Sequence, residues 1–409
     1  MRRFSTVLLL GLLLGASACG TVPAAAPSAS FTPSAVAQQL VVEGDGATLL
    51  VDPATGTTTK LPGGVLSPAN DLIVSVNARA ANTAVEGVDL TGRAVFDLGL
   101  PGDYRLPTAY GAAPSGFSPN GKWLVLVSRD ANESRFAIID VAHAAVTQTV
   151  TLGSRFTFDA IHNDGTAMYL IEHPQPGTTS YNVRLYDLAA KTLKPDIIFD
   201  KAAIAQFDPT VGLMDGTFHV SVAPTTGDWS FGLYMRPSGK PFVHALNVPG
   251  HYATCIVDLA GAWTPASLFS MTLSDDGRSL YVVDTAGGTV SVIDALTQHV
   301  ARTASFRTRG GAGDPRNTSA VISKDGTRLY AAAAGGVASL LTTDLSLRGW
   351  LAPDLSVRSL ALSADGARLF ALAGDAIEVI DASTGRIVSQ LAPAPGARAL
   401  RLLARRQGP

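Results

Sequence analysis

The chain has 409 residues, of which 16% are charged and 46% hydrophobic, with 40 glycines and 24 prolines. This composition excludes a disordered chain and fits a turn-dense β fold with a sizeable core. The formal net charge of -2 excludes a general nucleic-acid binder, which needs a dense basic surface.

The first twenty residues read MRRFSTVLLLGLLLGASACG: Arg2 and Arg3, an apolar run from Val7 to Leu14, then small residues before Cys19. That is the layout of a secretory signal, and the run is too short to span a bilayer. Ala16 to Cys19, ASAC, resemble a bacterial lipobox, which implies removal of residues 1–18 and acylation of Cys19. Residues 19–37 form a Pro, Ala and Ser tract with almost no large apolar side chains. Such a tract cannot bury enough surface to offset its ordering entropy, so it is expected to act as a tether. Together these features predict an extracytoplasmic protein held at the membrane by a lipid, or secreted if the cysteine is not acylated.

Only Cys19 and Cys255 are present, so acylation of the first leaves the fold without a disulfide. Taking Arg2 and Arg3 from the 31 Lys and Arg leaves 29 basic against 33 acidic residues, and the mature chain is mildly acidic.

From residue 38 onward, turn signals recur at the spacing of a four-stranded propeller blade. They are SPAND (from Ser67), SPNG (Ser118), HNDG (His162), APTTGD (Ala223), SDDG (Ser274), SKDG (Ser323) and SADG (Ser363). Asp or Asn followed by Gly supplies the backbone of a tight turn between antiparallel strands. Each signal follows one β-run and precedes three more, such as LYVVD, TVSVID and VARTASF, giving strands A to D. Gln39 to Leu61 reads as strands B, C and D without an A, and Gly396 to Arg406 as an A strand with nothing after it. Joined, these ends make one more blade and remove the open sheet edge. The expectation is one all-β propeller over residues 38–409, eight blades by count with seven as the alternative.

LYVVDTAGGTVSVIDALTQHV (from Leu280) is similar to the YVTN-type propeller repeat, and FSPNGKWLVLVS (from Phe117) resembles the WD40-like repeat of TolB-type periplasmic propellers. The resemblance implies the fold but no single activity, since such repeats occur in surface-layer proteins, lactonases, quinoprotein dehydrogenase subunits and scaffolds.

In such a blade the A to B and C to D turns share one face, and the B to C turns and D to A crossovers share the other. The long insertions fall among the crossovers: 98–116, 200–216, 259–267 and 307–319. Variable loops on a regular scaffold carry binding residues. The candidates on the crossover face are therefore Tyr104, Arg105, Tyr110, Asp208, His219, Trp263, Arg307, Arg309, Asp314 and Arg316.

Other chemistry is sparse. His244, His251 and Cys255 lack a zinc-ligand spacing, and Cys255 reads as a small apolar residue. Asp140, Asp187, Asp258, Asp294 and Asp381 recur at strand ends, so they read as turn acceptors and not as catalytic carboxylates. Arg398, Arg401, Arg405 and Arg406 read as a solvated edge with some affinity for anionic lipid. No cofactor or metal is predicted. The leading expectation is a non-catalytic binding module for an envelope protein or polymer. The alternatives are a lactonase-like hydrolase or quinone-dependent dehydrogenase using the channel mouth, and a purely structural envelope component.

Overall fold

A computed structural model describes residues 38–44, 46–79, 81–107, 116–129, 133–174, 177–198, 214–224, 226–259, 267–309, 319–391 and 395–404. The described residues form eight antiparallel sheets arranged as a β-propeller. Blade 1 joins the two ends of the chain, with the order Thr58–Pro62, Ala47–Val51, Gln38–Gly44, Ala397–Ala404. Its closing ladder runs from Gln38 opposite Ala404 to Gly44 opposite Ala397. Blades 2 to 8 follow in chain order over 65–101, 105–152, 156–197, 217–258, 269–305, 320–351 and 357–390.

The strand patterns explain the stacking. In strand B of blade 6, Ser279–Asp284, Leu280 and Val282 enter the cluster shared with blade 5, whereas Tyr281 and Val283 enter the cluster shared with blade 7. Alternate side chains thus feed two interfaces, and a strand that is apolar on both faces is what a stacked sheet requires. Each of the eight hydrophobic clusters draws on two consecutive blades, including the pairs that flank blade 1.

Blade 3 departs from the repeat. Among the described residues its innermost segment makes two isolated bridges, Arg105 to Val127 and Phe117 to Leu124. Blade 4 carries an extra short strand, Met214–Asp215, paired with the start of its strand C.

The recurring turns work as their residue types demand. Ser274 Oγ donates to Asp276 Oδ1 at 2.6 Å and accepts from the Ser279 amide at 2.9 Å, while the Gly277 amide donates to the Ser274 carbonyl at 2.8 Å. Gly277 sits at φ +68°, where a side chain is strained, so Gly is required there. The expected acceptor role of the strand-end aspartates is seen at Asp140, Asp187, Asp294 and Asp381. Hydrogen bonds from the Thr91 and Ser383 side chains, joined by backbone amides, hold Asp89 and Asp381 down at about 2. Asp258 differs: it ends a strand D and pairs with Arg236 at 2.9 Å.

On the turn face, blades 3, 4 and 5 are tied by a side-chain ladder. The Asn120 amide donates to Asn163 Oδ1 at 2.9 Å, Asn120 Nδ2 donates to the Asn163 carbonyl at 3.0 Å, and Asn163 Nδ2 donates to the Thr226 carbonyl at 2.8 Å. Asn163→Ala removes two of these bonds, and a loss of about 1–2 kcal/mol is expected in urea unfolding.

Candidate functional site

The main concavity is the central channel, a cavity of about 930 Å³. Its walls are the innermost strands: Thr157 and Asp159 of blade 4, Ser221 of blade 5, Thr272 of blade 6, Ala320 of blade 7 and Arg401 of blade 1. Phe158, Tyr181, Phe218 and Tyr234 lie on its blade 4 and 5 side. Its crossover-face mouth includes Arg155, His173, Thr178 and Thr179.

Three features set the chemistry of this wall. Strand A of blade 4, Phe156–Ile161, pairs Phe158 with Leu170 and then Ala160 with Tyr169, so Asp159 is the extra residue of a β-bulge. Bulges re-aim side chains, and this one places a carboxylate on the channel. Enclosure by protein pushes its carboxyl up to about 7, although the side chain still meets channel solvent. Second, Tyr181 is 1% exposed, its ring stacks on Tyr234 at 4.9 Å, and the two tyrosine hydroxyls lie close enough to influence each other. Third, His244 is 3% exposed behind the two tyrosines, its Nε2 has no hydrogen-bond partner among the described residues, and burial pulls it down to about 4. His244 is therefore neutral in the fold, and the stability this contributes is lost as pH falls from 6.5 toward about 4.

The opposite wall carries Arg401, ion-paired with Glu43 at 3.0 Å. This corrects the reading of Arg401 as a solvated edge: ring closure turns strand A of blade 1 inward, and the side chain follows.

The crossover-face candidates divide four ways. Tyr104 is buried and not exposed on a loop. It is 7% exposed in the core between blades 2 and 3, and its amide donates to Thr83 Oγ1 at 2.7 Å. His219 lies within strand A of blade 5, half-buried against Phe269 at 5.8 Å, and burial lowers its pKa. Arg105, Arg307 and Arg309 are exposed, as expected, and none lines the cavity. Tyr110, Asp208, Trp263, Asp314, Arg316 and Cys19 lie outside the described residues, as do the leader and tether. The two segments that flank residues 108–115, Pro107 and Gly116, both line the cavity.

No family model matches the chain, and no curated protein does. Among solved structures it is similar to the dihydro-heme d1 dehydrogenase NirN in complex with DHE, at 14% identity over 90% of this chain and 76% of that one, with a TM-score of 0.56. It is also similar to AztD from Citrobacter koseri, at 12% identity over 90% of this chain and 98% of that one, with a TM-score of 0.56. A third is the Dos1 propeller, at 11% identity over 83% and 90%, with a TM-score of 0.50. At these identities the likeness shows the propeller fold alone.

Proposed function

We propose that the protein is an extracytoplasmic binding propeller of the YVTN or TolB-like kind, tethered through an acylated Cys19 and residues 20–37. It takes a ligand, or the end of an envelope protein or polymer, into the central channel from the crossover face without converting it. The observation that supports this most is the cavity of about 930 Å³, lined by aromatic residues on its blade 4 and 5 side and by polar groups such as Thr157, Asp159, Ser221, Thr272 and Arg401 along its walls. That combination of volume, aromatic lining and convergent polar groups suits a ligand site.

Native mass spectrometry of the full chain, taken from its own membranes in mild detergent, tests this reading. It is expected to show lipid mass on Cys19 and a bound adduct that Ser221→Trp and Thr272→Trp, which fill the channel, both lose. A channel that carries no adduct, or one indifferent to both substitutions, overturns the reading.

One observation favours a hydrolase or dehydrogenase instead: Asp159, held at about 7, is suited to exchange a proton near neutrality. Substrate turnover abolished in Asp159→Asn would favour that alternative over binding alone.

A further inference from the structure

Four of the innermost strands carry a one-residue bulge, and in each the extra residue is ionisable. The ladder passes over Arg398 in blade 1, Asp159 in blade 4, His219 in blade 5 and Arg358 in blade 8. The innermost strands of blades 6 and 7 pair without a shift. A ladder does not need the extra residue, and bulges gather where a side chain has to be re-aimed toward a site. In a ring of eight blades, blades 8 and 1 are neighbours and lie across the axis from blades 4 and 5. The two arginines therefore stand together, with the acid and the histidine on the far side.

The arginines occupy equivalent places. Arg358 lies between Val357, opposite Ala373, and Ser359, opposite Leu372, whereas Arg398 lies between Ala397, opposite Gly44, and Ala399, opposite Glu43. Each sits where its strand meets the end of strand B, on the crossover face. Ser359 Oγ accepts from the Leu400 amide at 3.0 Å, so the two innermost strands run side by side at this level. Arg358 is half-buried, donates to the Gly374 carbonyl in the B to C turn of its own blade and makes no ion pair among the described residues. Its neighbours Asp354 and Asp375 are exposed, and neither is ion-paired with it. Arg398 is exposed. At the other mouth of the channel, on the turn face, the lining residues Pro68, Asn70, Pro119 and Ala223 carry no charge.

From this geometry we propose that Arg358 and Arg398 form a recognition site for a phosphate monoester at the crossover-face rim of the channel. A guanidinium presents a planar fork of donors to an oxyanion, and such charge-assisted pairs are among the stronger hydrogen bonds. Two forks match the two charges of a phosphate monoester, whereas a carboxylate or a phosphodiester offers one. The bond to Gly374 holds the Arg358 side chain at the rim before a ligand arrives, which lowers the ordering cost of binding. This inference rests on the reading of the channel as a ligand site entered from the crossover face, and it names the group that the ligand presents there.

Methyl phosphate and dimethyl phosphate separate two charges from one, and calorimetric titration of the full chain at about pH 8 reads both. Methyl phosphate is expected to bind about tenfold more tightly than dimethyl phosphate or acetate. Arg358→Ala and Arg398→Ala are each expected to weaken it about tenfold, and Arg358→Lys by less, because the charge stays while the fork is lost. Arg386→Ala removes an exposed arginine from the C to D turn of blade 8, on the turn face, and is expected to leave the affinity unchanged. Urea unfolding of each variant checks that it is folded. Equal binding of monoester, diester and acetate overturns the inference, as does a methyl phosphate affinity that folded Arg358→Ala and Arg398→Ala leave intact or that Arg386→Ala lowers as much. Failure of methyl phosphate to bind, with the native adduct still present and still lost in Ser221→Trp and Thr272→Trp, sinks the phosphate site and leaves the channel reading standing.

Discussion

A chain that ends at Gly396 is expected not to fold. The deletion removes strand A of blade 1, and with it the ladder from Gln38 to Gly44 that closes the ring. Leu400 leaves the cluster between blades 8 and 1, and Leu403 leaves the cluster between blades 1 and 2. Glu43 loses its ion pair with Arg401. Two buried leucines at about 1.5–3 kcal/mol each, a ladder and an orphaned carboxylate together rival the roughly 5–15 kcal/mol that keeps an ordinary domain folded. The newly open edges of blades 1 and 8 would also invite intermolecular pairing. Size-exclusion chromatography and far-ultraviolet circular dichroism should show aggregate in place of a β-rich monomer-sized species. Leu400→Asp keeps the strand and tests the packing part, with a loss of about 3–5 kcal/mol expected from burying an unpaired charge. A truncated chain with native-like unfolding would refute closure by the C-terminal strand.

Asp159→Asn is expected to stabilise the free protein above neutral pH. The carboxyl titrates at about 7 in the fold against 3.8 for the unperturbed group, so the folded state holds the proton more tightly than the unfolded state. Stability from this group is therefore fully present below 3.8 and is lost as pH rises to about 7. A shift of this size corresponds to about 4 kcal/mol, and contact with channel water reduces it to about 1–3 kcal/mol. At about pH 8 the variant should unfold at higher urea than the parent, and at about pH 4 the two should coincide. His244 acts in the opposite direction over part of this range, so only the difference between variant and parent isolates Asp159. A variant less stable than the parent at pH 8 would mean that the carboxylate has a stabilising partner.

The blade count was legible in the sequence because the period is written locally, in Ser, Asp and Gly side chains that each make a definite contact within their own turn. Closure was legible for a related reason, since the missing strand at one end matches the surplus strand at the other. The site was harder to read. Tyr104 follows a strand D and looks like loop, yet the Thr83 hydroxyl pins its backbone and turns the ring into the core. Arg401 sits among arginines, and only the closed ring makes its strand face the channel. Asp159 hides in FTFDAI, where alternation alone cannot separate a channel-facing from a blade-facing residue once a bulge shifts the register. One signal was available: among the innermost segments of the described residues, Asp159 is the sole acidic residue. An acid on the axis of a propeller has few neighbours able to neutralise it.

The most direct measurement is the titration of the Asp159 side-chain carboxyl by carbon-13 NMR, assigned by its disappearance in Asp159→Asn. A midpoint near 7 is expected in the free protein. A midpoint near the unperturbed 3.8 would show a carboxylate already satisfied and would contradict an uncompensated acid on the channel.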